Sequence, residues 1–217
     1  MQVCLASTSP ARLMLLRQVG IDPLTRAPDT DEDAVAAQAA ADRGGDLAPA
    51  ELVLLLARAK AADVARRLAV DDPSFDGIVI GGDSMFALGD RVYGKPYTAE
   101  VAIERWRGMR GATGILHSGH CVVRVEPGRA PREATAVAEA SVSFADDITD
   151  DEIAAYVASG EPLHVAGAFT VDSLGGAFIT RVEGDPSTVV GMSLSTIRRL
   201  ARELGVSWTE LWSAEQS

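Results

Sequence analysis

The sequence predicts a mixed α/β or α+β fold, on three observations. A short apolar strand, Val3–Ala6, is followed by an apolar-rich helix over Leu13–Val19, and a long helix over Pro49–Leu68 precedes a second buried strand, Phe75–Ile80. Further along the chain, antiparallel β patterns dominate instead. Strands that alternate with helices early and pair as hairpins later are typical of a mixed sheet.

Start and stop signals in the sequence predict the remaining elements. Ser9 and Pro10 suit the first helix start, and Gly20 suits its end. Thr149, followed by three acidic residues, starts another helix that runs to about Ser159. Gly89-Asp90 predicts a hairpin between Met85–Leu88 and Arg91–Tyr93. The other expected elements are a polar loop over 22–33, a helix from about Ala34 that breaks at 42–46, a helix over 98–109, strands over 112–125, 134–144 and 177–182, and a last helix over 193–204. No repeat, low-complexity segment or linker interrupts them, so we expect a single domain over residues 1–217.

Composition excludes several classes of protein. The 217 residues carry a formal net charge of −11, which disfavours binding of long nucleic acids. Cys4 and Cys121 are far apart and form no CxxC motif, so neither a disulfide framework nor a thiolate zinc site is indicated. We expect a cytoplasmic protein without a signal peptide or membrane span.

The turn between the first strand and helix, STSPAR, has two interpretations. Ser9 is suited to capping the helix, which explains the turn by itself. A helix N-terminus also binds anions, and Arg12 has the wrong sign for the helix dipole unless a negative group lies nearby. Capping and phosphate binding both remain open at this point.

The stretch IVIGGDS predicts a carboxylate, Asp83, at the carboxyl edge of a strand, where α/β sheets bind ligands. If the hairpin turns at Gly89-Asp90, Ser84 pairs with Lys95 and brings this lysine beside Asp83. A carboxylate and an ammonium together suit metal-assisted phosphate chemistry. The alternative is a salt bridge at the base of a hairpin.

Lys60 lies in the middle of an apolar helical stripe that contains Val53, Leu56, Ala57 and Val64. It must therefore extend to solvent, pair with an acid or face a cleft. The acidic stretch Asp31-Glu32-Asp33 either caps the next helix or supplies a second carboxylate for Mg²⁺. His117, His120 and Cys121 make a poor zinc site, because side chains three apart on a strand lie on opposite faces.

In this order the motifs resemble the Maf family of nucleoside triphosphate pyrophosphatases, which are relatives of septum-formation inhibitors. LASTSPARLMLLRQVGI is similar to the family's LASxSPRRxELLxxxGI, GGDS to its ADT, and GKP to its GKP. ARAKA, MRGATGILHSGHCVV, GEPLHVAGAF and EGDPSTVVGMSL resemble four further family segments, so that the resemblance spans nearly the whole chain.

The resemblance implies an elongated, two-lobed fold with a central mixed sheet, a cleft between the lobes and a homodimer. It also implies cleavage of a nucleoside triphosphate between the α and β phosphates with Mg²⁺ or Mn²⁺. Asp83 would activate water, directly or through the metal, with Lys60 and Lys95 as catalytic cations and Glu32 as a second metal ligand. The residues expected to hold the triphosphate are Ser7, Ser9, Arg12, Lys60 and Lys95.

Departures from the family pattern fall at positions expected to choose the base. Ala11 replaces an arginine, Ser84 a threonine and Asp172 a glutamine. A carboxylate lacks the two N–H donors of an amide, so the family's preference for dTTP and UTP does not transfer directly. Val165 stands where the family often has lysine.

The leading hypothesis is therefore a pyrophosphatase acting on non-standard or pyrimidine nucleoside triphosphates. A nucleotide-binding regulator linked to cell division is the alternative, favoured by the missing arginine and lysine and opposed by Asp83, Lys60 and Lys95. A nucleotidyltransferase is a third possibility, but the opening turn is not glycine-rich. Neither nucleic acid nor membrane is an expected partner.

Overall fold

The computed structural model describes residues 1–213. Within that range, the strands are β1 Gln2–Ala6, β2 Leu24–Thr25, β3 Gly77–Leu88, β4 Arg91–Tyr93, β5 Thr113–Val125, β6 Arg132–Phe144 and β7 Ile179–Gly184. The α-helices are α1 Pro10–Gln18, α2 Glu32–Arg43, α3 Pro49–Asp71, α4 Ala99–Met109, α5 Asp150–Ala158, α6 Pro186–Val190 and α7 Leu194–Glu203. None of these helices combines the length and the apolar character needed to cross a membrane.

The seven described strands form a mixed sheet in the order β2-β1-β3-β5-β6-β7, with β4 also paired to β3. Strand β1 pairs in parallel with β2 and with β3, whereas β3–β4 and β6–β7 are antiparallel pairs. The predicted mixed α/β class is therefore confirmed.

The chain divides into two compact units. The first unit contains residues 1–83, 118–138 and the described residues from 191 onward; the second contains residues 84–117 and 139–190. The elongated shape, the cleft and the single domain over residues 1–217 stay predictions.

Small residues let helix α3 pack closely on the sheet of the first unit. The apolar core there combines Ala57, Ala61 and Val64 of α3 with Val79 of β3. A methyl group built at Gly81 would lie 2.4 Å from the carbonyl oxygen of Ala57. Built at Gly119, it would lie 2.2 Å from the carbonyl oxygen of Val53. Two glycines of the sheet thus fix how near α3 can approach, and with it the position of every side chain on its inner face.

Aromatic side chains form the core of the second unit. Trp106 packs edge-on against Phe144 and Tyr156, and Phe86 packs edge-on against Phe169. The indole Nε1 of Trp106 donates a 2.7 Å hydrogen bond to the carbonyl of Ala168, a residue in the left-handed conformation at φ 62°. This bond holds a strained backbone position against the aromatic core.

Two expectations about the centre of the chain are wrong. Strand β3 does not end before Asp83; it continues through Gly81 and Gly82 to Leu88, because the two glycines remain extended and their missing side chains accommodate neighbouring groups. The hairpin across Gly89-Asp90 forms as predicted, but its ladder ends at the Phe86–Tyr93 pair.

Lys95 consequently lies beyond the end of β4 and does not pair with Ser84 in the ladder. The carbonyl of Gly94 accepts hydrogen bonds from the Arg105 side chain at 2.5 Å and from the Gly167 N–H at 3.3 Å. Pro96, on the other side of Lys95, has no N–H to donate. Strand β2 and helix α6 were not predicted; β2 has only two residues and α6 only five.

Substituting Gly81 or Gly119 with alanine tests the role of the close contacts. We expect each variant to lose about 1–3 kcal/mol of unfolding free energy, since the added methyl group meets helix backbone that cannot move aside. Chemical denaturation measures the loss.

Gly45→Ala is the matched control in the same unit, because nothing lies within 4 Å of a methyl group built there. Gly81→Ala and Gly119→Ala variants as stable as Gly45→Ala would contradict the packing described for α3.

Candidate functional site

Lys60 is buried on the inner face of α3, with its side chain only 8% exposed. Its ammonium nitrogen Nζ donates to Asp83 Oδ1 at 2.7 Å and lies 2.9 Å from Glu32 Oε1. Of the interpretations left open by the sequence, the lysine pairs with acids rather than extending to solvent.

Asp83 lies in the middle of β3, and its side chain is 13% exposed. Burial raises the pKa of Asp83 above its ordinary value, and the nearby Glu32 adds to that rise. The charges of Lys60 and Arg12 act in the opposite direction without cancelling the effect of burial. A carboxylate with a raised pKa is a better proton acceptor than an exposed one.

Glu32 reaches Lys60 from the first turn of α2, and half of its side chain remains exposed. Asp31 caps this helix by accepting the Ala34 N–H at 2.9 Å, so the capping interpretation of the acidic stretch is confirmed for Asp31. Glu32 instead faces the buried cation.

The loop before α2 is held by Asp63, a residue that sequence reasoning missed. Its carboxylate accepts the Asp29 N–H at 2.9 Å and hydrogen bonds from Arg66 and Arg67. Burial on its own raises the pKa of Asp63, but these hydrogen bonds and charges hold it below the ordinary value. Asp63 faces inward three residues after Lys60 and thereby fixes the approach of the chain to Glu32. Its only signal in the sequence is a charge on the apolar side of a helix.

The opening turn is built around Arg12. Its Nε donates to the carbonyl of Gly191 at 2.9 Å, and its Nη1 donates to the carbonyl of Gly82 at 2.7 Å and to Ser7 Oγ at 3.3 Å. Burial lowers the pKa of Arg12, while the negative charges of Asp83 and Glu32 raise it, and an arginine remains charged at neutral pH. The cation at the wrong end of the helix dipole is thus explained by carboxylates and carbonyls around it.

The serines of the turn have different tasks. Ser9 is the N-cap of α1, and its Oγ accepts the Arg12 N–H at 3.4 Å, so the capping interpretation is confirmed. Ser7 is buried and accepts hydrogen bonds from the Ser9 N–H and the Arg12 side chain. Ala11 lies half-buried in the same helix. Anion binding by this turn stays a prediction.

Ser118 and Gly191 complete the arrangement and were also missed. Ser118 Oγ lies 3.4 Å from the carbonyl oxygen of Asp83 and 3.2 Å from that of Gly191. His120, on the same strand, is fully buried and accepts the Ser193 N–H at Nε2 over 2.9 Å. The signal was present in LHSGH and VVG, but only spatial proximity reveals that both segments meet at β3.

The other predicted site residues belong to the second unit. Lys95 is exposed, Ser84 is half-buried in β3, and Asp172 is exposed between two 3₁₀ helices, Ala166–Ala168 and Leu174–Phe178. His117 Nδ1 lies 3.0 Å from Glu139 Oε1 in that unit. The roles of Lys95, Ser84 and Asp172 stay predictions.

Two hard oxygen donors, Asp83 Oδ1 and Glu32 Oε1, converge on the same nitrogen of Lys60. Between residues 1 and 213, no group of three or more histidine, cysteine, aspartate or glutamate side chains is placed to hold a metal ion. Mg²⁺ commonly takes one or two carboxylates and completes its shell with water and substrate phosphates. The donor set fits that mode of binding.

Comparison with known proteins shows the family of this chain. The family model described as "Maf-like protein" matches residues 2–204. A "Nucleoside triphosphate pyrophosphatase" of Leifsonia xyli subsp. xyli is 57% identical over 213 residues, covering 98% of this chain and 97% of the relative. A protein of the same name from Nocardia farcinica is 50% identical over 210 residues, covering 96% and 95%.

Among solved structures, "The structure of the Staphylococcus aureus Ham1 protein" aligns with 67% of this chain and 73% of that chain, at 12% identity and a TM-score of 0.32. A similarity at that score supports no conclusion about this chain. The family match and the two close relatives each span almost the full length, and the residues that suggested the resemblance include the Lys60–Asp83 pair. The chain therefore belongs to the Maf-like protein family.

Proposed function

We propose that the protein hydrolyses a nucleoside triphosphate to the monophosphate and pyrophosphate. The observation that carries the proposal is the buried Lys60–Asp83 pair with Glu32 beside it, in a chain whose close relatives are named for this activity.

The reaction is a displacement at the α-phosphorus. A water oxygen forms the new bond to phosphorus, the α–β phosphoanhydride bond breaks, and pyrophosphate leaves with the bonding electrons. The proton lost by the attacking water goes to the carboxylate of Asp83. Its raised pKa, caused first by burial, makes this transfer more favourable.

Lys60 has two effects on this step. Its ammonium group, 2.7 Å from Asp83 Oδ1, keeps the buried carboxylate ionised and therefore able to accept a proton. Its charge also offsets negative charge that develops on the phosphate oxygens. Asp83 and Glu32 would hold a divalent cation such as Mg²⁺ or Mn²⁺, which supplies further charge neutralisation on these oxygens.

The triphosphate would be held by the opening turn and by lysines. Ser7, Ser9 and Arg12 place hydroxyls and one charge at the N-terminus of α1, which is a favourable place for an anion. Arg12 has a second task, because its hydrogen bonds to Gly82 and Gly191 tie β3 to the turn before α7. Lys95 would supply an exposed cation from the second unit.

Choice of base would depend on Ala11, Ser84 and Asp172. Ala11 has only a methyl group to offer, and the carboxylate of Asp172 can accept hydrogen bonds but not donate them. A non-standard or pyrimidine nucleoside triphosphate is the proposed substrate class. A cytoplasmic homodimer active in nucleotide-pool housekeeping remains our expectation.

Asp83→Asn tests the assignment of the proton acceptor. The amide is isosteric but cannot take the proton, so we expect pyrophosphate release by the folded variant to fall about 100-fold or more, even though the variant unfolds more readily because Lys60 loses a charged partner. A panel of canonical and modified triphosphates with Mg²⁺ or Mn²⁺, assayed by pyrophosphate release, measures the effect.

Asp33→Asn serves as the control, since Asp33 is an exposed aspartate in the first turn of α2. Pyrophosphate release by Asp83→Asn at the rate of Asp33→Asn would contradict the assignment. Absence of release from every triphosphate by the unmodified protein would overturn the proposed function.

Lys60→Met tests how the lysine acts. Its charge is the largest influence that lowers the pKa of Asp83, so its removal raises that pKa further. Because kcat/KM falls when Asp83 is protonated, the acidic limb of the pH profile should move to higher pH, along with a loss of rate.

Arg58→Met removes an exposed cation from the same helix, where it pairs with Glu133, and should leave the limb in place. If Lys60→Met lowers the rate with the acidic limb unchanged, Lys60 does not act through the ionisation of Asp83.

A further inference from the structure

The segment over residues 170–175 of the second unit is folded around one carboxylate, that of Glu161. Two kinds of group donate to it. The side-chain hydroxyls of Tyr156 and Ser173 donate at 2.9 Å and 2.7 Å. The backbone N–H groups of Leu174 and Gly175 donate at 3.2 Å and 3.0 Å. The hydroxyl of Thr170 donates as well. Four of these donors belong to the segment itself.

Both oxygens of Glu161 are required for this set of bonds. Oε1 accepts from Tyr156, Thr170 and Gly175, and Oε2 accepts from Ser173 and Leu174. An ionised carboxylate accepts at both positions and has no hydrogen of its own to set against these donors. A glutamine would set its NH₂ group against donors on one side.

The bonds surround Asp172, the predicted base-selecting residue. Thr170 is tied to Glu161 on one side of Asp172, and Ser173 and Leu174 on the other, within two residues each way. The two ends of the segment also pack tightly together at Gly175. A methyl group built there would lie 2.6 Å from the Thr170 carbonyl oxygen and 2.6 Å from the Tyr156 hydroxyl.

Tyr156 connects the Glu161 carboxylate to the aromatic core of the second unit. Tyr156 of α5 is buried, packs edge-on against Trp106, and accepts the Thr170 N–H at 3.3 Å while it donates to Glu161. Partial burial alone would raise the pKa of Glu161, but hydrogen bonds from Thr170, Ser173, Gly175 and Tyr156 lower it to about 2. The acceptor therefore stays ionised throughout the neutral range.

We propose that Glu161 is a positioning residue that fixes the 170–175 segment and so presents Asp172 for base selection. The proposal rests on the proposed function, because Asp172 selects a base only if the protein binds nucleotides. Glu161 touches no reacting atom; its effect is on which triphosphate binds well.

The first test measures amide hydrogen exchange in the 170–175 segment and needs no enzyme activity. In Glu161→Gln, we expect hydrogen exchange at the amides of Thr170, Leu174 and Gly175 to be at least about 10-fold faster, since their acceptors are lost or displaced. Exchange in α3 should not change. Glu104→Gln, an exposed glutamate on α4, is the matched control. Unchanged exchange of the segment in Glu161→Gln would overturn the proposal.

The second test measures base selection as the ratios of kcat/KM among triphosphates of different bases. We expect Glu161→Gln to change the ratios of kcat/KM among triphosphates of different bases, mainly through KM, with kcat for the best substrate within about 3-fold. Asp172→Asn should alter these ratios in the unmodified protein and lose that effect in the Glu161→Gln background. An Asp172→Asn effect equal in both backgrounds, or absent in both, would show that Glu161 does not act through Asp172.

Two further measurements keep the outcomes distinct. Ser173→Ala removes one exposed donor to Glu161. It should change hydrogen exchange and the kcat/KM ratios in the same direction as Glu161→Gln, but less strongly. This variant tests the proposal even if Glu161→Gln does not fold. If the unmodified protein releases no pyrophosphate, the proposed function fails; calorimetry of nucleotide binding then supplies the base ratios, and Glu161 is judged on those ratios and on hydrogen exchange.

Discussion

The burial of the Lys60 ammonium is the constraint on which the rest of the site depends. A desolvated charge costs several kcal/mol unless it is paired, and breaking such a pair from one side is strongly destabilising. Lys60 therefore requires Asp83 of β3 and Glu32 of α2 within contact distance, at 2.7 Å and 2.9 Å. The same pairing keeps a carboxylate ionised in a desolvated position, which is a condition for proton transfer from water.

Backbone packing makes this pairing geometrically possible. Gly81 and Gly119 allow α3 to lie against the sheet, so that the lysine reaches the middle of β3. A methyl group at Gly82 would lie only 3.4 Å from Arg12 Nε, and Arg12 in turn connects β3 to Gly191. Asp63 holds the loop that leads to Glu32. The positions of Lys60, Arg12 and Glu32 therefore depend on packing contacts and hydrogen bonds that take no part in the proposed reaction.

Much of the candidate site was predictable from local patterns. Lys60 interrupts an apolar stripe, Asp83 follows an apolar run, and the opening turn has the residues of a helix cap, so each was visible within a few residues of sequence. Ser118, Asp63 and Glu161 were not, because their partners include groups 73, 34 and 14 residues away, respectively, and because their roles depend on which side of an element faces inward. The continuity of β3 was also hidden, since paired glycines usually interrupt a strand. Here helix α3 fills the space beside Gly81, and the Arg12 side chain fills the space beside Gly82.

A double-mutant cycle on the free energy of unfolding, without nucleotide, tests the central claim most directly. Its corners are the unmodified protein, Lys60→Met, Asp83→Asn and the double variant, compared by chemical denaturation. If the two buried groups stabilise each other, the double variant loses less than the sum of the single losses, with a coupling of about 1–3 kcal/mol. Losses that add to within about 0.5 kcal/mol would contradict the claim that this pair holds the site together.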